Sequence, residues 1–203
     1  MMYKAVIRIV MYIAGLVLQS LGLALMIVSD LGTGPWDGFY VGMTRHFGLS
    51  VGLWLIIFGV IFIILSSYLM KCRTDFLSFM TVFILGLCID FWLQLISFQP
   101  VEAGVKVLIF WLGLFVTSFG ISIYLQGEIA LTPADQFMMA LCDRFGLSLM
   151  ASKFLGDAGA LVFAVLLQGP IGLGTLIYTF LSGPLVQFFT PRMERAVITR
   201  IKK

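Results

Sequence analysis

The sequence predicts an all-α membrane protein with six transmembrane helices, built as two inverted three-helix repeats. The first indication is composition: 61% of the 203 residues are hydrophobic and 11% are charged, whereas a soluble domain carries about 25% charged residues. The second is a series of apolar stretches of about 20 residues, the length that crosses the hydrocarbon core as a helix. The third is an internal repeat between the two halves. Together they predict a single membrane domain over residues 1–203.

Six apolar stretches qualify as spans. They are Ile9–Val28, Val51–Met70, Phe76–Ile96, Val107–Leu125, Leu149–Leu167 and Ile171–Phe189. The fifth is interrupted by two charged residues, Lys153 and Asp157, and by two glycines. The first is interpreted as a retained helix rather than a signal peptide, because it is long, contains Gln19 and lacks a small-residue cleavage site.

Lysine and arginine are distributed unevenly between the two sides that this topology defines. With the N-terminus in the cytoplasm, eleven lie on the cytoplasmic side: Lys4, Arg8, Lys71, Arg73, Arg144, Lys153, Arg192, Arg195, Arg200, Lys202 and Lys203. The other side holds two, Arg45 and Lys106. Since cytoplasmic segments carry the excess of basic residues, we expect both termini in the cytoplasm. The tail, residues 191–203, is then a cytoplasmic anchor beside anionic lipid, not a nucleic-acid patch.

The repeat is clearest where Pro35–Ser50 aligns with Pro133–Ser148 at an offset of 98, with seven of 16 positions identical. Repeat 1 covers about residues 5–98 and repeat 2 about residues 105–190. Each repeat holds three spans. Because three is odd, the second repeat enters the membrane from the opposite side, as in transporters built from inverted repeats.

The same offset matches residues of the first and fourth spans. Four of them are glycines: Gly15, Gly22, Gly113 and Gly120. Within each span the two glycines are seven residues apart and share a helix face, so they are predicted to let helices pack closely. The offset also pairs Asp30 with Glu128, and we interpret these acids as solvated ends of their helices.

Between the first and second span of each repeat lies a short helix. Proline is favoured in the first helical turn because its missing N–H has no intrahelical partner there, which predicts starts at Pro35 and Pro133. Asp37 and Asp135 then lie in the first turn, where the helix dipole favours them. Thr132 has capping-box spacing from Asp135.

These short helices are predicted to stop at Gly48 and Gly146, since glycine commonly follows a helix C-terminus. About 13 residues make a helix of roughly 20 Å, too short to span. One interpretation is an interfacial helix that is only capped by its aspartate, with Trp36, Phe39 and Tyr40 at the membrane surface. The other is a re-entrant half-helix whose N-terminus lies near the midplane. The sequence leaves both open.

At these residues the chain resembles the YczE/YitT group of bacterial integral membrane proteins, and most closely its YczE branch. The resemblance is carried by Ser29–Asp37 (SDLGTGPWD), its weaker echo Leu131–Asp135 (LTPAD) and Gly172–Pro184 (GLGTLIYTFLSGP). It extends over nearly the whole chain. It implies a multi-pass protein of the bacterial inner membrane, for which a transport role is commonly supposed.

Ionisable groups inside a membrane are costly and often functional. Asp157 lies about eight residues into the fifth span, one turn after Lys153, so it is either a site residue or half of an i,i+4 ion pair. Asp90 lies in the third span, and Gln187 is its counterpart in the repeat. Their alternatives are an interhelical hydrogen bond and a substrate contact.

These features predict a small secondary transporter or permease with a path between the two halves. Its substrate-binding residues are predicted to be Asp37, Asp135, Asp157, Asp90 and Gln187, and its half-helices to start at Pro35, Pro133 and Thr132. Carboxylates favour a cation, a proton-coupled solute or an amine, whereas helix N-termini favour an anion, so the substrate stays open. The alternative is an accessory or substrate-capturing membrane subunit of a larger complex.

The sequence does not predict an enzyme. His46 is the one histidine, and Cys72, Cys88 and Cys142 have neither paired nor metal-ligand spacing. We therefore expect no catalytic residues, no metal and no cofactor. The expected partners are the lipid bilayer, an unknown small solute or ion and, in a homodimer, a second copy of the chain, with no nucleic acid.

Overall fold

The computed structural model describes residues 2–70 and 76–201, so Cys72 lies outside the described part. All regular structure in those ranges is helical, as predicted. The helices are α1 (Met2–Ser29), α2 (Pro35–Phe47), α3 (Val51–Met70), α4 (Phe76–Leu95), α5 (Ala103–Leu125), α6 (Pro133–Phe145), α7 (Leu149–Leu166) and α8 (Leu173–Ile201).

Among the described residues, five helices are long and apolar enough to cross a membrane: α1, α3, α4, α5 and α8. They coincide with five of the six predicted spans. The remaining predicted span is α7, a helix of 18 residues that carries Lys153 and Asp157 and is not among those five. Helices α2 and α6 have 13 residues each, too few to cross.

The chain forms two compact units, each of which draws on both halves of the sequence. The first unit contains α1, α5, α8 and the end of α4 from Phe91. The second unit contains α2, α3, α4 up to Asp90, α6 and α7. The chain therefore leaves the first unit after Gly34 and again after Ile129, each time just before a short helix.

In the first unit, α1 and α5 run antiparallel in close contact. A Cβ atom on Gly22 would lie 2.6 Å from the carbonyl oxygen of Gly113, and one on Gly113 would lie 2.8 Å from that of Gly22. Further along, a Cβ on Gly120 would lie 2.9 Å from the Gly15 oxygen. All of these distances are too short for a real Cβ. The backbones can approach this closely because those positions lack side chains.

In the second unit, the short helices pack against two of the longer ones. Helix α2 lies against α7 and α3, while α6 lies against α3 and α7. The contact of α2 with the end of α7 is again made by glycine, because a Cβ on Gly42 would lie 2.8 Å from Leu167 Cβ and one on Gly169 would lie 2.9 Å from Gly38 C. This packing places the N-terminal turns of α2 and α6 in the same unit.

Candidate functional site

The N-terminus of α6 has the capping geometry that the sequence predicts. Thr132 has extended dihedral angles (φ −65°, ψ 149°), and its Oγ1 accepts a hydrogen bond from the Asp135 N–H at 3.3 Å. The same hydroxyl donates to Asp135 Oδ2 at 2.7 Å. Pro133 begins the helix, and Gly146 ends it in the left-handed conformation at φ 65°. Asp135 is thus held in the first turn and keeps an intermediate exposed surface.

Helix α2 is enclosed by protein far more than α6. Five consecutive residues, 38–42, are buried, together with Pro35 and the preceding residues 32–34. Five consecutive residues cover every face of a helix with 3.6 residues per turn. Asp37 keeps an intermediate exposed surface, but protein atoms surround it densely. Burial raises the pKa of its carboxyl, and the nearby Asp157 carboxylate raises this pKa further.

Helix α7 contributes the third carboxylate. Lys153 Nζ lies 3.4 Å from Asp157 Oδ2, in the i,i+4 ion pair that was one of the two predicted arrangements. The two partners differ in exposure, since the Lys153 side chain is 57% exposed and that of Asp157 is 15% exposed. The lysine therefore reaches the surface while the carboxylate stays inside the unit. A Cβ on Gly156 would lie 3.9 Å from the Trp36 ring, which is an ordinary contact distance. The indole of Trp36 on α2 therefore lies beside α7 at Gly156.

Three helices bring their carboxylates together. The charges of Asp37 and Asp157 interact, as do those of Asp157 and Asp135. The buried indole N–H of Trp36 faces the Asp157 carboxylate and interacts with it, although the contact falls outside ordinary hydrogen-bond geometry. Because a buried donor without an acceptor is costly, the Asp157 carboxylate is the acceptor that this group offers to the indole.

Aromatic rings from α2, α3, α6 and α7 contact one another in the same unit. Trp36 contacts Phe62 edge to face at 4.9 Å between ring centroids, and Phe62 stacks on Phe137 of α6 at 5.2 Å. Phe39 contacts Phe58 at 4.7 Å and Phe163 at 6.1 Å. Sequence reasoning missed the phenylalanines of the long helices, because a phenylalanine in an apolar span carries no signal that separates a site wall from a lipid-facing residue.

Two predicted site residues lie elsewhere. Asp90 of α4 accepts hydrogen bonds from Ser50 Oγ at 2.5 Å and from the Gly52 N–H at 2.8 Å, so it caps the start of α3. Of the two predicted roles of Asp90, an interhelical hydrogen bond and a substrate contact, the structure has the hydrogen bond. Its repeat counterpart Gln187 is exposed on α8 in the first unit. The structure thus groups Asp37, Asp135 and Asp157 in the second unit and assigns Asp90 to the start of α3.

Several long apolar helices in one chain define a helical multi-pass membrane protein. The chain belongs to a family of unknown function, DUF6198, whose model matches residues 6–191. It is similar to the uncharacterized protein YyaS of Bacillus subtilis (strain 168), with 34% identity over 194 residues, 95% of this chain and 96% of the relative. It is also 28% identical over 193 residues to the uncharacterized membrane protein YczE of the same organism, covering 95% of this chain and 89% of the relative. No solved structure matches.

These matches confirm the resemblance to the YczE branch that the motifs around the short helices predict. They also support a location in a membrane, since one relative is named as a membrane protein.

Proposed function

We propose that this protein is a small secondary transporter of the bacterial inner membrane rather than an enzyme, and that its solute binds at Asp37, Asp135 and Asp157. One observation carries the proposal. Carboxylates from α2 and α6, the short helices of the two repeats, each lie within electrostatic range of the carboxylate of α7 in one compact unit. In many secondary transporters, the substrate site is formed by polar groups at the ends of broken or short helices near the interface between the repeats.

The packing within each unit supports the inverted repeat on which this proposal depends. The offset of 98 residues relates α2 to α6 and α3 to α7. The contacts of α2 with α7 and of α6 with α3 are therefore equivalent. In the proposed topology α7 also crosses the membrane, as the fifth of six crossings, which gives three spans per repeat. The excess of lysine and arginine then favours an orientation with both termini in the cytoplasm.

The burial of α2 favours a re-entrant half-helix over an interfacial one. An interfacial helix buries one face in the membrane surface and leaves the other in water. Residues 38–42 of α2 are buried on all sides by protein alone. In α6 burial is confined to Pro133, Met138 and Ala140, so the two short helices are covered to different extents.

The site chemistry favours an organic cation as the solute. When all groups are ionised, three carboxylates face one lysine, which leaves a net negative charge. The faces of aromatic rings attract cations, and the indole of Trp36 lies beside the Asp157 carboxylate. We therefore propose an amine or a quaternary ammonium compound. A carboxyl such as Asp37, whose pKa is raised by burial, also suits exchange of the cation for a proton.

A thermal-stabilisation screen tests this function. Purified protein is screened against alkylammonium salts of increasing size, with sodium carboxylates as the opposite charge class. An alkylammonium salt that raises the melting temperature of the wild type is expected to have a smaller effect on Asp37→Asn and on Asp135→Asn. Asp143→Asn, which changes an exposed carboxylate on the same helix as Asp135, serves as the matched control. Stabilisation that survives both site substitutions would exclude these aspartates from binding.

A further inference from the structure

Asp157 interacts with both of the other site carboxylates. Its charge repels those of Asp37 on α2 and Asp135 on α6. The Asp157 side chain is largely buried, so water supplies few of the hydrogen bonds that an ionised carboxylate requires. Two donors of the protein face it instead, the ammonium of Lys153 and the indole N–H of Trp36. A cationic solute that reaches this site therefore meets a carboxylate that already has a cation beside it.

The ion pair between Lys153 and Asp157 is weak enough to exchange. Lys153 Nζ lies 3.4 Å from Asp157 Oδ2 within α7, and the lysine precedes the acid, which is the less favourable order for an i,i+4 pair in a helix. More than half of the Lys153 side chain is exposed, and a long lysine side chain can carry its ammonium to water. An exposed pair of this kind changes an equilibrium constant by a factor of about 1.5 to 5. The ammonium can therefore leave the carboxylate through rotation of its own side chain.

A group that replaces the Lys153 ammonium has to supply its N–H donors as well as its charge. The ammonium of lysine has three N–H donors, and a largely buried carboxylate that loses its donor is costly. An alkylamine, like lysine itself, is protonated at neutral pH and offers N–H donors in the same way. A quaternary ammonium ion carries the same charge but has no N–H, so it would leave Asp157 without the donor that Lys153 supplies.

We propose that the solute is a protonated primary or secondary amine, and that its ammonium takes the place that the Lys153 ammonium occupies at Asp157 in the absence of solute. This inference rests on the proposed transport function and narrows its solute class from organic cations in general to those that donate N–H bonds. Lys153 then competes with the solute and sets its affinity, while the buried carboxylate of Asp157 sets the preference for an N–H donor.

Two isomeric cations test the preference for an N–H donor. The ions tert-butylammonium and tetramethylammonium have the same atoms, the same charge and nearly the same shape, but only tert-butylammonium has N–H donors. The dissociation constant of each chloride salt is obtained by titrating the melting temperature of the purified full-length protein in detergent. We expect the wild type to bind tert-butylammonium about 10-fold to 150-fold more tightly than tetramethylammonium. Asp157→Asn, which removes the charged acceptor, is expected to lower this ratio.

Substitutions of Lys153 test the competition. Lys153→Met removes the competing ammonium and is expected to tighten tert-butylammonium binding by about 1.5-fold to 5-fold. Lys153→Arg is expected to weaken it, because a guanidinium can hold a carboxylate through two N–H groups, and this variant tests the proposal even if Lys153→Met does not fold. Arg144→Met removes an exposed positive charge from α6 in the same unit. It is the matched control and should leave the dissociation constant unchanged.

The outcomes separate this inference from the proposed function. If tert-butylammonium stabilises the wild type and Asp37→Asn weakens its binding, but tetramethylammonium binds equally well, the solute site stands and the preference for an amine is refuted. If the Lys153 variants change the melting temperature without changing the dissociation constant of tert-butylammonium, the ion pair is purely structural and the competition is refuted. If neither cation stabilises the wild type or Lys153→Met, the organic-cation site is refuted and this inference with it.

Discussion

The close packing of α1 on α5 makes Gly22→Ala a quantitative test of the first unit. The new Cβ would lie 2.4 Å from the backbone N of Thr117 and 2.6 Å from the Gly113 oxygen, whereas ordinary contact begins at 3.4 Å, so the helices must separate locally by about 3.4 − 2.4 = 1.0 Å. The obstacle is backbone, which cannot rotate away as a side chain can. Overpacking of this kind costs about 3 kcal/mol at the upper end of its range, and alanine recovers about 1 kcal/mol of helix propensity.

The expected net loss is about 2 kcal/mol, which for a chain of this size lowers the melting temperature by about 4–8 °C. The assay is thermal unfolding in detergent, followed by tryptophan fluorescence. Gly183→Ala is the matched control, because its Cβ would meet nothing within 4 Å and the position is also helical. We expect that control to be neutral or slightly stabilised. Equal melting temperatures for Gly22→Ala and Gly183→Ala would refute the packing argument.

Three further predictions concern the second unit and its boundary. Because burial raises the pKa of Asp37 in the folded protein, the wild type loses stability as pH rises through that pKa. Asp37→Asn removes this loss, so the melting temperature of the variant relative to the wild type should be higher at pH 8 than at pH 5. A difference in melting temperature that is the same at both pH values would contradict a raised pKa at Asp37. Asp90→Ala leaves the donors of Ser50 and Gly52 unpaired and should cost about 1–3 kcal/mol in denaturant unfolding, whereas Gln187→Ala, at an exposed position, should change nothing. Gly32→Ala should lower the yield of folded protein in size-exclusion chromatography far more than Gly48→Ala. Both glycines have positive φ, at 122° and 72°, but a Cβ at Gly32 would also lie 2.6 Å from the Thr175 N atom. Similar yields would argue against crowding at Gly32.

Local chemistry made the short helices the most predictable part of the fold. Proline at the first turn, the threonine cap and the glycine stop are each signals that act within about one helical turn of their own position. The structure accordingly begins α6 at Pro133 and ends it at Phe145, just before Gly146. The long helices were placed less well at their ends, since α1 begins at Met2 rather than Ile9, α5 begins at Ala103 rather than Val107, and α8 ends at Ile201 rather than Phe189. Hydropathy marks the apolar part of a helix, whereas hydrogen bonding continues through the polar residues that flank it.

The candidate site was only partly predictable, because its members meet through tertiary packing. The sequence identifies the aspartates as charged residues in apolar stretches, but it does not show which residue each aspartate contacts in the folded protein. Asp90 caps a helix 38 residues earlier in the chain, a contact that no local pattern encodes. The same holds for Phe62 and Phe137, which stack only because α6 lies on α3.

In the proposed transporter, the carboxylates of both repeats form one solute site that opens to both membrane faces. Its most direct measurement is the labelling of Asp157→Cys by an impermeant maleimide in right-side-out and inverted vesicles, with Lys153→Cys, one helical turn away and exposed, as the reference. We expect Asp157→Cys to be labelled from both faces and Lys153→Cys from the cytoplasmic face alone. Labelling of both positions from the cytoplasmic face only would mean that Asp157 belongs to an ion pair at the membrane edge, and would contradict the transport account.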